Sequence, residues 1–252
     1  MENKIALVTG GSRGIGRDMA LKLAGKGLDV IITYNTRVED AQQVVSLVEA
    51  TGRKGAALQL NTGILSSFDN FAAELQNTLK TTFNTDHFDF LLNNAGHGGY
   101  SPISSVTEAF FDDLLNVHFK GVYFLTQKLL PIMNDGGGIV NVSSGLTRVS
   151  FPGSSVYASF KSAVETLTRY QAKELGARGI RANVIAPGAT MTDFGNAHLR
   201  NSPDTQKQVS AVTALGRTGT AEDIGGVAAF LCTDDARWVN GQRIEVSGGM
   251  LV

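Results

Sequence analysis

The sequence has a single cysteine and a single tryptophan among 252 residues, with five prolines and four histidines. With no second cysteine, no internal disulfide is possible, so a packed core must hold the fold together. Cys232 sits in "AAFLCT" and reads as a small core residue. The histidines are scattered without metal-ligand spacing, and no metal site is expected. Neither sign of charge dominates: 22 Lys and Arg stand against 23 Asp and Glu, for a net charge of −1. Without a basic run, nucleic acid and membrane surfaces are poor partners. No window approaches ~18 uninterrupted apolar residues, and the N-terminal residues lack the basic, apolar and small regions of a signal peptide. A soluble cytoplasmic protein is expected. No repeat, low-complexity tract or linker divides the chain, which predicts one α/β domain over residues 1–252.

Short β-rich apolar runs alternate with helical patterns: "IALVTG", "VIITY", "GAALQLN", "FDFLLNNAG", "GGIVNVSS", "IRANVIAPG" and "QRIEVSGG". Several are almost continuously apolar, as strands buried on both faces should be, so the rhythm predicts a seven-stranded parallel sheet with helices on both faces. The polar stretch 188–206, "GATMTDFGNAHLRNSPDTQ", follows the sixth run and is a candidate lid.

After the first run comes "TGGSRGIGRDMALKLA", with Gly10, Gly14 and Gly16 leading into a helical pattern. Glycines permit a tight turn and close approach of backbone amides to a pyrophosphate, and a helix N-terminus offers unpaired N–H groups with a partial positive charge. Strand, turn and helix in this order favour a dinucleotide site. The same residues contain G-x-S-x-G, which would make Ser12 the nucleophile of a serine hydrolase with His97, His118 or His198 as base. That elbow needs an oxyanion donor from an earlier strand-to-helix loop, and Ser12 follows the first strand, so the reading is weak.

"VYASFK" places Tyr157 and Lys161 four residues apart, on the same side of a helix. The spacing fits a surface pair worth a few tenths of a kcal/mol. It equally fits an acid and the cation that tunes it, since a nearby lysine would lower the phenol pKa from its usual ~10.

The ordered set "TGGSRGIG", "NNAG" (93–96), Asn116 in "LLNVHFKG", "GGIVNVSS" (137–144), "YASFK", "PG" (187–188) and "GQRIEVSGG" closely resembles the short-chain dehydrogenase/reductase family from Lys4 to the C-terminus. The resemblance implies a single Rossmann-type doubly wound domain and a catalytic tetrad of Asn116, Ser144, Tyr157 and Lys161. In that scheme Ser144 holds the substrate carbonyl oxygen and Tyr157 donates the proton. Lys161 binds the nicotinamide ribose and tunes the phenol, while Asn116 holds a water that links the lysine to solvent. Ser143 is the less favoured member of the serine pair.

An NAD site usually has an acidic residue at the end of the second strand, but that position is Tyr34. Arg13 and Arg37 suit an additional 2′-phosphate, with neutral hydrogen bonds from Asn35 and Thr36, so NADP(H) is expected ahead of NAD(H). The remaining cofactor residues implied are Gly10, Ser12, Gly14, Ile15 and Gly16 at the turn, Asn61 and Thr62, and Asn94, Ala95 and Gly96 along the adenosine. Pro187, Gly188, Thr190 and Thr192 would surround the nicotinamide. Asn61 replaces a common Asp, and Ser247 replaces the usual Asp of the closing motif.

His97, Gly98, Leu146, Phe151, Met191 and Phe194 are expected around the substrate, a mostly apolar set that favours a small-molecule ketone or secondary alcohol. A 3-oxoacyl group on an acyl carrier protein is the alternative, with Arg148 and Arg200 as the basic residues to meet an acidic carrier. A non-enzymatic NADP-binding regulator is a second alternative. The family resemblance also implies a homotetramer, with contacts near 107–130 and 155–177.

Overall fold

A computed structural model describes residues 4–195 and 197–252. The seven apolar runs form β1 (Ile5–Val8), β2 (Asp29–Tyr34), β3 (Gly55–Gln59), β4 (Phe88–Asn93), β5 (Met133–Val142), β6 (Arg181–Pro187) and β7 (Arg243–Val246). All pair in parallel in one sheet of order β3-β2-β1-β4-β5-β6-β7. The chain works outward from β1 to β3, then returns to β4 beside β1 and works outward the other way. Connections therefore leave the carboxyl ends of β1 and β4 in opposite directions and open a crevice there, where ligands bind in sheets of this kind.

Alternation along the strands distributes the core. Ala6 and Val8 of β1 face one side, where they pack with Met19 and Leu23 of α1 (Gly14–Gly25), Val44 and Val48 of α2 (Val38–Glu49), and Ile224 and Ala228 of α9 (Ala221–Leu231). Ile5 and Leu7 face the other side, with Phe71 and Leu75 of α3 (Phe68–Thr78) and Leu125 and Leu129 of α5 (Gly121–Leu129). Each Val, Leu, Ile, Met or Phe side chain of this set, fully buried, contributes about 1.5–3 kcal/mol. With both faces covered, the central strands read as unbroken apolar runs.

Two polar residues interrupt the apolar strand ends. Asn93 and Asn141 are register partners on β4 and β5, and the Asn93 amide donates to Asn141 Oδ1 at 2.9 Å and to Thr126 at 3.1 Å. Asn141 in turn donates to Thr168 and Gln171 of α6 (Ser155–Glu174), both at 2.8 Å. This satisfied buried network pins α6 to the sheet edge from which the crevice opens.

α4 (Glu108–Leu115) runs into α5 through one wider turn of π-helix, Asn116–Lys120. The expected lid segment contains short helices rather than a plain loop: α7 (His198–Asn201), and the start of α8 (Pro203–Ala211), which Ser202 caps by accepting from the Thr205 N–H. Asn196, within that segment, lies outside the described residues.

Candidate active site

The crevice is a cleft of about 710 Å³ with the glycine turn at one end. Gly10 and Gly14 adopt positive φ, 64° and 54°, where a side chain would be strained. Gly16 touches the backbone beneath it: a Cβ there would collide with Gly10 O and Asn94 Nδ2. α1 starts here with no side-chain cap and no acidic residue in its first turn, so its N–H groups face the cleft unopposed by carboxylates. The Asn94 side chain braces the turn, donating to Thr9 O at 2.9 Å and Gly10 O at 3.2 Å.

At the other end, Ser144 lies just past β5 in extended conformation, and its hydroxyl accepts from the Leu146 N–H at 3.2 Å. Tyr157 sits in the first turn of α6 with Lys161 one turn on. The two are only 8% and 3% exposed, so the pair is no surface feature. Lys161 Nζ donates to Val142 O at 2.8 Å and lies 5.6 Å from the centroid of the Tyr157 ring. Burial lowers the lysine pKa to about 8. Burial pushes the Tyr157 phenol up, against an opposing hydrogen bond with Ser144. Desolvation thus outweighs the lowering expected from the lysine and keeps Tyr157 protonated, the form a proton donor needs.

Beneath the serine pair, Glu165 accepts from the Ser143 hydroxyl at 2.6 Å, Thr147 at 2.8 Å and Arg243 at 2.8 Å. Ser143 is thereby committed to the scaffold and Ser144 is left for the cleft. Arg243 also reaches Glu245 at 3.0 Å, and Arg148 pairs with Glu245 at 2.7 Å while donating to Leu251 O at 2.7 Å.

A family model described as enoyl-(acyl carrier protein) reductase matches residues 10–251. The 3-oxoacyl-acyl-carrier-protein reductase FabG of Staphylococcus epidermidis is 36% identical over 98% of this chain and 99% of its own. The hydroxynaphthalene reductase-like protein Arp2 of Metarhizium brunneum is 34% identical, over 99% of this chain and 95% of its own. Among solved structures, the angucycline C-6 ketoreductase LanV with bound NADP superposes with a TM-score of 0.93 at 36% identity, covering 98% of this chain and 95% of LanV. The chain belongs to the short-chain dehydrogenase/reductase family.

In this short-chain dehydrogenase/reductase, the cleft is lined by Gly10, Ser12, Arg13, Gly14, Ile15 and Gly16, by Tyr34, Asn35, Thr36 and Arg37, by Asn61 and Thr62, and by Asn94, Ala95 and Gly96. Ser144, Tyr157, Lys161, Pro187, Gly188, Thr190 and Thr192 complete its floor, and His97, Gly98, Leu146, Phe151 and Phe194 stand at its mouth. Two expected site residues are not part of this lining. Met191 is not among the lining residues, and its N–H is held by Gly219 O at 2.9 Å in a short bridge beside Thr190. Asn116 opens the π turn, its carbonyl accepting from the Gly121 N–H. Residues two apart on a helix point to nearly opposite sides, and it is His118 that enters the site. Its ring stands edge-on to Tyr157, centroids 4.9 Å apart at 87°. The sequence signal was present, a histidine two residues past the expected asparagine, but helical phase around a π turn is not readable from spacing.

The glycine cradle, the open α1 terminus, and Arg13 and Arg37 near a β2 end without a carboxylate suit a phosphorylated dinucleotide. Arg13 is held at 3.1 Å from Asp193 of the lid segment, and Arg37 at 3.3 Å from Asp40. No helix among the described residues is long and apolar enough to cross a membrane, and no group of three or more potential metal ligands occurs among them.

Proposed function

We propose that this protein is an NADP(H)-dependent oxidoreductase that interconverts a ketone and a secondary alcohol. What carries the reading is the burial of Tyr157 and Lys161 together beside Ser144, in the same cleft as the glycine turn. The bound nicotinamide would supply or accept the hydride. In the reductive direction Ser144 holds the carbonyl oxygen by a hydrogen bond and Tyr157 gives that oxygen its proton. Lys161 stabilises the phenolate left behind and binds the cofactor ribose. Arg13, Arg37, Asn35 and Thr36 bind the 2′-phosphate end, and residues 188–206 close over the substrate. Tyr157→Phe tests the assignment: turnover should fall by about 10²–10⁴ with NADPH affinity retained, and near-normal turnover would remove Tyr157 from the chemistry.

The aromatic mouth favours a free, largely apolar carbonyl substrate. Phe151 and Phe194 are both about half exposed beside the cleft, and Phe194 lies 5.7 Å from Tyr157 between ring centroids. The likeness to FabG supports a second reading, a 3-oxoacyl thioester on a carrier protein. The basic residues that would greet an acidic carrier are occupied, Arg148 with Glu245 and Arg200 with Asp193, so the first reading is preferred. A parallel screen of cyclic aromatic ketones and 3-oxoacyl thioesters with NADPH separates the two. Exposed Tyr123, Phe124 and Tyr170 on α5 and α6 support the tetramer contacts implied by the family resemblance.

A further inference from the structure

The methionine expected against the substrate, Met191, roots the start of the lid at Gly219, whereas another methionine, Met250, is part of the cleft lining. Met250 is 8% exposed, while Leu251 and Val252 that follow it are 42% and 94% exposed. It joins none of the apolar clusters formed among the described residues. Its apolar side chain is thus set apart from the core, at a wall of the cleft.

The support beneath it is fixed. Residues 248–251 run antiparallel to residues 212–215: the N–H groups of Ala214, Leu215 and Leu251 donate to Gly249 O, Gly248 O and Val212 O at 3.1, 3.0 and 2.9 Å, and Thr213 bridges Met250. The two segments lie flush, since a Cβ on Gly249 would come within 2.8 Å of the Ala214 Cβ. Arg148 adds a clamp. Beyond its pairing with Glu245, its guanidinium donates to Met250 O and, at 2.7 Å, to Leu251 O. Leu251 takes φ 53°, a left-handed conformation that a leucine keeps only where its surroundings hold it.

This clamp also fixes where Met250 lies relative to the chemistry. Arg148 closes the short turn that follows Ser144, its N–H donating to Gly145 O at 3.0 Å, so the Met250 backbone is one arginine side chain away from that turn. Leu146, Val149 and Phe151 of the same stretch line the cleft, as do Leu199 of α7 and Val209 of α8. The polar groups among them are engaged with one another: Ser247 donates to Glu245 at 2.9 Å, and Arg148 and Arg243 pair with the same carboxylate. Recognition at this wall therefore falls to apolar contact, and a flexible, polarisable thioether suits the edge of an aromatic ring.

We propose that Met250 is a specificity-determining residue: from its clamped segment it contacts the apolar body of the ketone beyond the carbonyl held by Ser144, and favours a fused bicyclic aromatic ketone over a small monocyclic one. The inference rests on the reading of the cleft as a ketone-reducing site, and its first test needs no turnover.

The full-length protein, ¹³C-labelled at the methionine methyls and loaded with NADP⁺ so that no reduction occurs, is titrated with α-tetralone and followed by NMR. The Met250 signal is assigned by its loss in Met250→Leu, and Met19, fully enclosed in the core, serves as the internal reference. The Met250 methyl should shift as the ketone is added while that of Met19 stays in place. In turnover with NADPH, Met250→Ala should lower kcat/KM for α-tetralone by at least about 10-fold, chiefly through KM, and leave cyclohexanone within about 3-fold. Met250→Leu keeps the volume and should stay within about 3-fold for both. A Met250 signal unmoved up to the solubility limit of α-tetralone, or an equal loss with both ketones, overturns the proposal and leaves Met250 a packing residue. Should Met250→Ala fail to fold, the methyl titration of the unsubstituted protein decides alone. If α-tetralone moves the signal but is not reduced with NADPH, the Met250 contact stands and the functional reading fails.

Discussion

The ammonium of Lys161 lies 5.6 Å from the centroid of the Tyr157 ring, both groups buried at the carboxyl edge of the sheet. Their burial shifts the two pKa values apart, lysine down to about 8 and tyrosine up. The useful combination is therefore a protonated phenol beside a charged lysine, and it exists below the lysine pKa. Ketone reduction should be nearly level between pH 6 and 7.5 and fall as pH rises through about 8, because Lys161 loses its proton before Tyr157 does. Initial rates at saturating NADPH across pH 6–10 check this; a limb that begins only near 10 would mean that the lysine does not limit the reaction.

In the proposed reading cofactor choice turns on Arg13, which leaves the glycine turn and meets Asp193 at 3.1 Å. A guanidinium gripping a 2′-phosphate contributes a charge-assisted hydrogen bond worth about 1.5–3 kcal/mol, while NADH gives it nothing comparable to bind. Arg13→Ala should lower kcat/KM for NADPH by about 10- to 100-fold and leave the NADH value within about 3-fold. Equal losses with both cofactors would make Arg13 a lid tether through Asp193 and no specificity residue.

Much of this geometry was legible in the chain. The seven strands and their parallel pairing follow from continuous apolar runs such as "VIITY" and "IRANVIAPG", because a strand covered on both faces has no polar side to display. The glycine turn was legible because its spacing answers to backbone sterics. The rest depended on distances that no local pattern records. That His118 lines the cleft while Asn116 does not could not be read from spacing, because a π turn resets helical phase between α4 and α5. Asn94 was expected along the cofactor, and it lines the cleft, but its amide is committed to the carbonyls of Thr9 and Gly10. The direction of the Tyr157 shift needed burial, which spacing cannot supply.

Gly16 makes the turn a test of backbone approach. Its neighbours on the side where a Cβ would project are Gly10 O and Asn94 Nδ2, both inside contact distance. A carbonyl and a bonded amide on two different strand ends cannot both yield, so Gly16→Ala should open the turn. NADPH binding measured by calorimetry should weaken by at least about 10-fold, with stability reduced by about 1–3 kcal/mol. Unchanged affinity would show that the turn is free to relax and that the α1 terminus alone holds the phosphates.

Outside the cleft lining, α1 and α9 meet at Asp18 and Gly225. Asp18 is 7% exposed with Oδ2 unpaired, and a Cβ on Gly225 would fall on that oxygen. Burial raises the Asp18 pKa ahead of the opposing pull from Lys22. With the folded value above the unfolded one, the native state binds the proton more tightly, so this site favours folding most at low pH and loses that contribution as pH rises through the folded pKa. Asp18→Asn keeps the size and removes the charge, so its stability relative to the unsubstituted protein should improve between pH 4 and pH 7. Gly225→Ala leaves the charge and removes the space. It should destabilise by about 2 kcal/mol, or roughly 4–8 °C in Tm for a chain of this length. If calorimetric melts show Asp18→Asn losing stability relative to the unsubstituted protein as pH rises, the carboxylate is favoured in its charged form, and burial at the helix contact is not what sets its pKa.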